Sequence, residues 1–130
     1  MRVAISVNGK TVQVLGTHLQ PNNAPARYGS MSVLKNWASN FSAPQLVAGD
    51  FNAGPDQVDS TSGMAPNFVD AWFVVNGAPG MTAFAPNPNI QIDFWFSDSS
   101  GRAQPNWVSV VTGTGTVSDH LPVHASFTVR

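Results

Sequence analysis

The 130-residue chain has no cysteine, no glutamate and a single tyrosine. Without cysteine there is no disulfide framework, no thiol nucleophile and no zinc–thiolate site. Charge is also scarce, at 10% of residues against about 25% in an average soluble domain. The six basic residues, Arg2, Lys10, Arg27, Lys35, Arg102 and Arg130, are scattered, and the formal net charge is -1. Counterion-driven DNA binding needs clustered Lys and Arg, so an architectural DNA-binding role is excluded. No apolar run approaches the ~18 residues of a membrane span. The opening segment, Met1 to Val7, alternates like a strand and has no signal-peptide core. The chain reads as a soluble protein, with its compartment, cytoplasmic or secreted, left open.

What is present is an apolar fraction of 42%, enough for a core, and a length that suits one domain over residues 1–130. Eleven Gly and ten Pro indicate many loops. Residues 2–7 and 11–17 are β-rich runs around Asn8-Gly9-Lys10, the signature of a type I′ hairpin. From about Ala26 to Phe41, apolar residues recur at Met31, Leu34, Trp37, Ala38 and Phe41, which predicts a helix with one buried face. Gln45–Gly49 predicts a central strand ending at Asp50. Residues 53–66 read as loop and 67–76 as a short helix. Further strands are expected at about 90–97, 106–112 and 122–129. Helices between a larger number of strands predict an α+β or α/β layered sandwich.

Polar residues with chemical potential cluster where these strands end, in Thr17-His18-Leu19, Gly49-Asp50-Phe51-Asn52, Gln91-Ile92-Asp93-Phe94 and Ser118-Asp119-His120. Strand-end loops commonly present catalytic groups. Each segment also has a purely structural reading. His18 could be a satisfied strand-end histidine, Asp50 and Asn52 could cap a turn, and Ser118–His120 could be an ordinary loop. Asp93 lies inside the apolar run Ile90–Phe96, where an unpaired carboxylate is expensive, so it needs a partner whatever its role.

Taken together and in this order, the four segments resemble the endonuclease/exonuclease/phosphatase superfamily of DNase I-like, metal-dependent phosphodiesterases. That family shows a strand ending in Thr-His-Leu or Asn-His-Leu, then Gly-Asp-Phe-Asn, an Ile-Asp-Tyr-like strand and a late Ser-Asp-His. Asp70-Ala71-Trp72 and Thr82 fall at further landmarks. The resemblance implies that His120 is the catalytic histidine and Asp93 its carboxylate partner. It implies that Asp50 orients the attacking water and that Asn52 donates to a phosphoryl oxygen. His18 would contact the phosphate opposite His120. Asp119, with Asp50, would supply metal ligation, and oxygen ligands of this kind suit Mg²⁺ or Mn²⁺.

The resemblance also implies a departure. Members of the family are longer, and the chain matches only the second half of their layered sandwich, without the glutamate that ligates metal. The expected fold is therefore α+β, a mainly antiparallel sheet with helices on one face and the other face bare. Two copies are then expected to pack face to face as a homodimer. The function implied is metal-dependent phosphoester hydrolysis, weakened by the missing half, on a phosphodiester or nucleic-acid substrate. Two alternatives stay open, a catalytically inactive fragment or binding module and a metal-independent esterase using His120 and Asp93.

Overall fold

Asn8 and Gly9 both take positive φ, 50° and 77°, the pair of left-handed residues that a type I′ turn requires. They join β1 (Arg2–Val7) to β2 (Lys10–His18) in an antiparallel hairpin with Val7 opposite Lys10. The computed structural model in which this is seen describes residues 1–113 and 117–130. Among them follow α1 (Ala24–Ala38), β3 (Gln45–Asp50), α2 (Pro55–Val58), β4 (Phe68–Asp70), α3 (Ala71–Asn76), β5 (Asp93–Asp98), β6 (Ala103–Val110) and β7 (Val123–Val129).

Helix α1 starts before the apolar periodicity does. The Asn23 side chain accepts the Ala26 N–H at 3.0 Å, and Pro25 sits in the first turn, where its missing N–H costs nothing. Residues 53–66, expected as loop, contain the single turn α2, opened by Pro55. The short helix expected over 67–76 is instead β4 followed by α3. Asp70 ends the strand and caps the helix by accepting the Trp72 N–H at 2.8 Å, and Gly77 closes it with φ 69°.

Five strands form a mixed sheet in the order β1-β2-β3-β5-β4, in which only β2 and β3 run parallel. Leu15, Val47 and Phe96 stand in register across β2, β3 and β5. They turn to one face of the sheet, where they meet Met31, Leu34 and Ala38 of α1 and Val58 of α2 in the main core. Phe51, Phe94 and Phe96 pack there with ring centroids 5.3–5.5 Å apart.

The other face is not bare, which corrects the expectation of helices on one face and nothing on the other. Strands β6 and β7 pair only with each other. Ala103, Phe127 and Val129 from this second sheet pack with Val12, Val14, Leu46 and Trp95 of the first. The result is two stacked β layers with helices outside one of them, an α+β sandwich. The apolar alternation of Val123 to Val129 shows that β7 has a buried side, but it does not say which sheet it joins. What stays uncovered on that face lies on the edge strand β1. Val3 (47% exposed) and Ile5 (43% exposed) stand opposite Val14 and Val12.

Candidate active site

Strand register places three polar residues abreast at one end of the large sheet. His18 is opposite Asp50 in the parallel β2–β3 pair, and Asp50 is opposite Asp93 in the antiparallel β3–β5 pair. Opposed residues share a face, here the face that meets the second sheet. His120 joins the row from a distant part of the chain. It forms a β-bridge to Ala83 just before β7, and the Leu121 N–H donates to the Thr82 carbonyl at 2.7 Å.

Each residue of Gly49-Asp50-Phe51-Asn52 has a separate physical task. A Cβ on Gly49, whose φ is 152°, would lie 1.9 Å from the Thr17 carbonyl oxygen, so only glycine lets β2 and β3 approach here. Asp50 accepts the Asn52 N–H at 2.7 Å, a local turn made by its own side chain. Phe51 is fully buried and donates its N–H to the Ile92 carbonyl at 2.8 Å, anchoring the turn between strands. Asn52 adopts φ 50°, a left-handed conformation that asparagine tolerates better than most residues.

The side chains form an alternating chain of imidazoles and carboxylates. His18 Nε2 lies 3.3 Å from Asp50 Oδ2, His120 Nε2 lies 4.0 Å from the same oxygen, and His120 Nδ1 lies 2.9 Å from Asp93 Oδ2. With Nδ1–H donated to Asp93, the Nε2 lone pair faces outward towards Asp50. Burial is the largest influence on His120 and pulls its pKa down. The hydrogen bond that His120 donates to Asp93 and the charges of Asp93, Asp50 and Asp119 outweigh it, so the net shift is upward from 6.5. Burial pushes the Asp93 carboxyl upward, opposed by hydrogen bonds from Thr82 and His120.

Asn52 and Asp119 have surroundings that bear on the roles the resemblance implies for them. Both amide hydrogens of Asn52 are engaged, one on the Leu19 carbonyl at 2.8 Å and one on Asp50 Oδ2 at 3.3 Å. Donation to a phosphoryl oxygen therefore requires exchanging the longer bond. Asp119 lies outside the cluster of metal-capable groups, which is Asp50, Asp93 and His120 with donor atoms within 4.8 Å of one another. The His120 N–H donates to Ser118 Oγ at 3.0 Å, so Asp119 lies in a bend just before the bridge. Asp119 is exposed, and its backbone carbonyl accepts the Ala85 N–H at 2.9 Å. The two carboxylates and the outward Nε2 are oxygen and nitrogen donors of the kind that hold a divalent cation. Among these donor atoms His120 Nε2, 4.0 Å from Asp50 Oδ2, makes no hydrogen bond to the described residues.

A cavity of about 310 Å³ lined by Asp59, Phe68, Asp70 and Phe73 contains none of these residues. The Asp59 carboxyl there is pushed up to about 6, first by desolvation and then by Asp70. Nothing in the local sequence marked it.

The endonuclease/exonuclease/phosphatase family model matches residues 2–120. The chain belongs to that family. Among solved structures, it is similar to a humanized TDP2 from D. rerio at 16% identity and TM-score 0.80, with 98% of this chain and 59% of that one covered. A conserved protein of unknown function from Enterococcus faecalis is 21% identical with TM-score 0.76, over 93% of this chain and 51% of that one. A mannosyl-6-phosphatase from Bacteroides thetaiotaomicron is 20% identical with TM-score 0.71, over 93% and 52%. The chain thus spans between half and three-fifths of each of these structures. No curated protein matches the sequence. Among the described residues of this family member, no helix is long and apolar enough to cross a membrane.

Proposed function

We propose that the protein is a phosphoester hydrolase dependent on Mg²⁺ or Mn²⁺, with His120 as general base and Asp93 as its orienting partner. The observation that carries this reading is the His120 ring itself. It is held through Nδ1 by Asp93 at 2.9 Å, with Nε2 turned to Asp50 at 4.0 Å. A water between Nε2 and Asp50 would be oriented by both. Its oxygen attacks phosphorus as the bond to the leaving oxygen breaks. The water proton passes to Nε2, and the leaving oxygen takes a proton from His18 or solvent. Asn52 holds Asp50 in place. A divalent cation on Asp50 would stabilise the charge building on phosphoryl oxygens. Asp119 contributes through its charge beside His120.

Similar structures bearing the names TDP2 and mannosyl-6-phosphatase, one of the former with a single-strand DNA product, support phosphoesters as the substrate class. The six scattered basic residues favour a small phosphodiester or a single strand over long duplex DNA. The test is turnover of bis(p-nitrophenyl) phosphate with Mn²⁺ or Mg²⁺. We expect slow hydrolysis that EDTA abolishes and that His120→Ala lowers about a hundredfold. Full activity in EDTA, or no change in His120→Ala, would overturn the reading.

We also propose that two copies of the chain associate through the uncovered edge of the large sheet. Exposed Val3 and Ile5 on the edge strand β1 support a surface that a second copy covers.

A further inference from the structure

Thr82 lies in the loop between α3 and β5 and is fully buried. Its backbone N–H donates to the Ile90 carbonyl at 2.8 Å, and its carbonyl accepts the Leu121 N–H at 2.7 Å. One residue therefore bonds both the segment that leads to Asp93 and the segment that carries His120. Its hydroxyl oxygen accepts the Ile92 N–H at 3.1 Å and the Asp93 N–H at 3.2 Å. A hydroxyl has two lone pairs and one hydrogen. With both lone pairs facing backbone donors, only the hydrogen is left, and it is free for the Asp93 carboxyl, whose pKa the Thr82 hydroxyl holds down.

We propose that Thr82 is a positioning residue for the Asp93–His120 pair, setting the plane of the carboxylate while tying the two chain segments together. This rests on the reading of Asp93 and His120 as the reacting pair. The plane of an aspartate carboxylate turns about the Cβ–Cγ bond unless hydrogen bonds fix it. Two donors restrict that freedom, the Thr82 hydroxyl and the His120 Nδ1–H. Asp93 is the first residue of β5. The same hydroxyl satisfies two backbone N–H groups that would otherwise be buried without partners.

The test uses proton NMR of the full chain together with steady-state kinetics. The wild-type spectrum should contain two slowly exchanging protons, the Thr82 hydroxyl and the low-field Nδ1–H of His120, the latter identified by its loss in His120→Ala. Thr82→Val keeps the shape and removes the hydroxyl. It should lose or broaden the Nδ1–H resonance and lower kcat about tenfold, with KM for bis(p-nitrophenyl) phosphate nearly unchanged. Thr82→Ser restores the hydroxyl and should recover both. A folded Thr82→Val protein with the Nδ1–H resonance intact would overturn the proposal. So would a folded Thr82→Ser protein that lacks it, or a wild-type spectrum without a protected Thr82 hydroxyl. The resonances do not depend on turnover, so their presence in an inactive protein would count against the hydrolase reading and leave the positioning role standing.

Discussion

Asp50 and Asp93 stand directly opposite each other in the β3–β5 ladder, two carboxylates on one face of the sheet, with the His120 ring spanning from one to the other. Opposed like charges destabilise a ladder, so this pairing holds a local tension that function explains better than folding does. Replacing Asp50 with Asn should relieve it. The Asn side-chain oxygen can still accept the Asn52 N–H, and one negative charge disappears. We expect Asp50→Asn to lower metal-dependent turnover about a hundredfold or more, while the metal-free melting temperature at about pH 8.5 does not fall. Thermal melts alongside the phosphodiester assay check both halves.

The His120 pKa is raised in the folded chain, which gives its pH dependence a definite sign. A histidine whose folded pKa exceeds its unfolded value stabilises the fold fully below the unfolded pKa. That contribution is lost as pH rises through the folded pKa. His120→Ala should therefore depress the melting temperature more at about pH 5.5 than at about pH 8.5. Equal depression at the two pH values would contradict the pairing with Asp93 in solution.

Gly49 is the position where the turn Gly49–Asn52 is most intolerant of change. The added methyl of Gly49→Ala would meet the Thr17 carbonyl at 1.9 Å in a backbone conformation that already disfavours side chains. A destabilisation of about 3 kcal/mol or more is expected, readable by urea titration. Because the clash pushes β3 away from β2, activity should fall even in the fraction that remains folded.

Association of two copies through β1 predicts a dimer by size-exclusion chromatography with light scattering at micromolar concentration. Ile5→Lys places a charge on the uncovered part of the sheet face. It should shift the population to monomer without altering far-ultraviolet circular dichroism. A wild-type monomer at the same concentration would remove the proposal.

Much of the fold was legible because its cues are local. The Asn8-Gly9 turn, the central strand before Asp50 and the periodic face of α1 each depend on residues within a few positions of one another. The start of α1 was misplaced by two residues because Asn23 and Pro25 looked like a break when they are a cap and a first turn. The strand β4 is three residues long and exists only because Phe68 and Asp70 pair with Asp98 and Phe96. Nothing in its own sequence distinguishes it from the helix that follows.

The candidate site divides in the same way. Polar groups at strand ends and a carboxylate in an apolar run are visible without coordinates, and the family resemblance of those segments, taken in order, singled out His18, Asp50, Asn52, Asp93, Asp119 and His120. Only the tertiary structure decided that register sets His18, Asp50 and Asp93 in one row, that Asn52 spends both amide hydrogens on the protein, and that Asp119 lies outside the cluster. It also decided that β6 and β7 cover the second face of the sheet, and that Thr82 joins Asp93 to the His120 segment. Register, hydrogen-bond partnership and layer stacking are relations between segments tens of residues apart, and a pattern read within one segment carries no information about them.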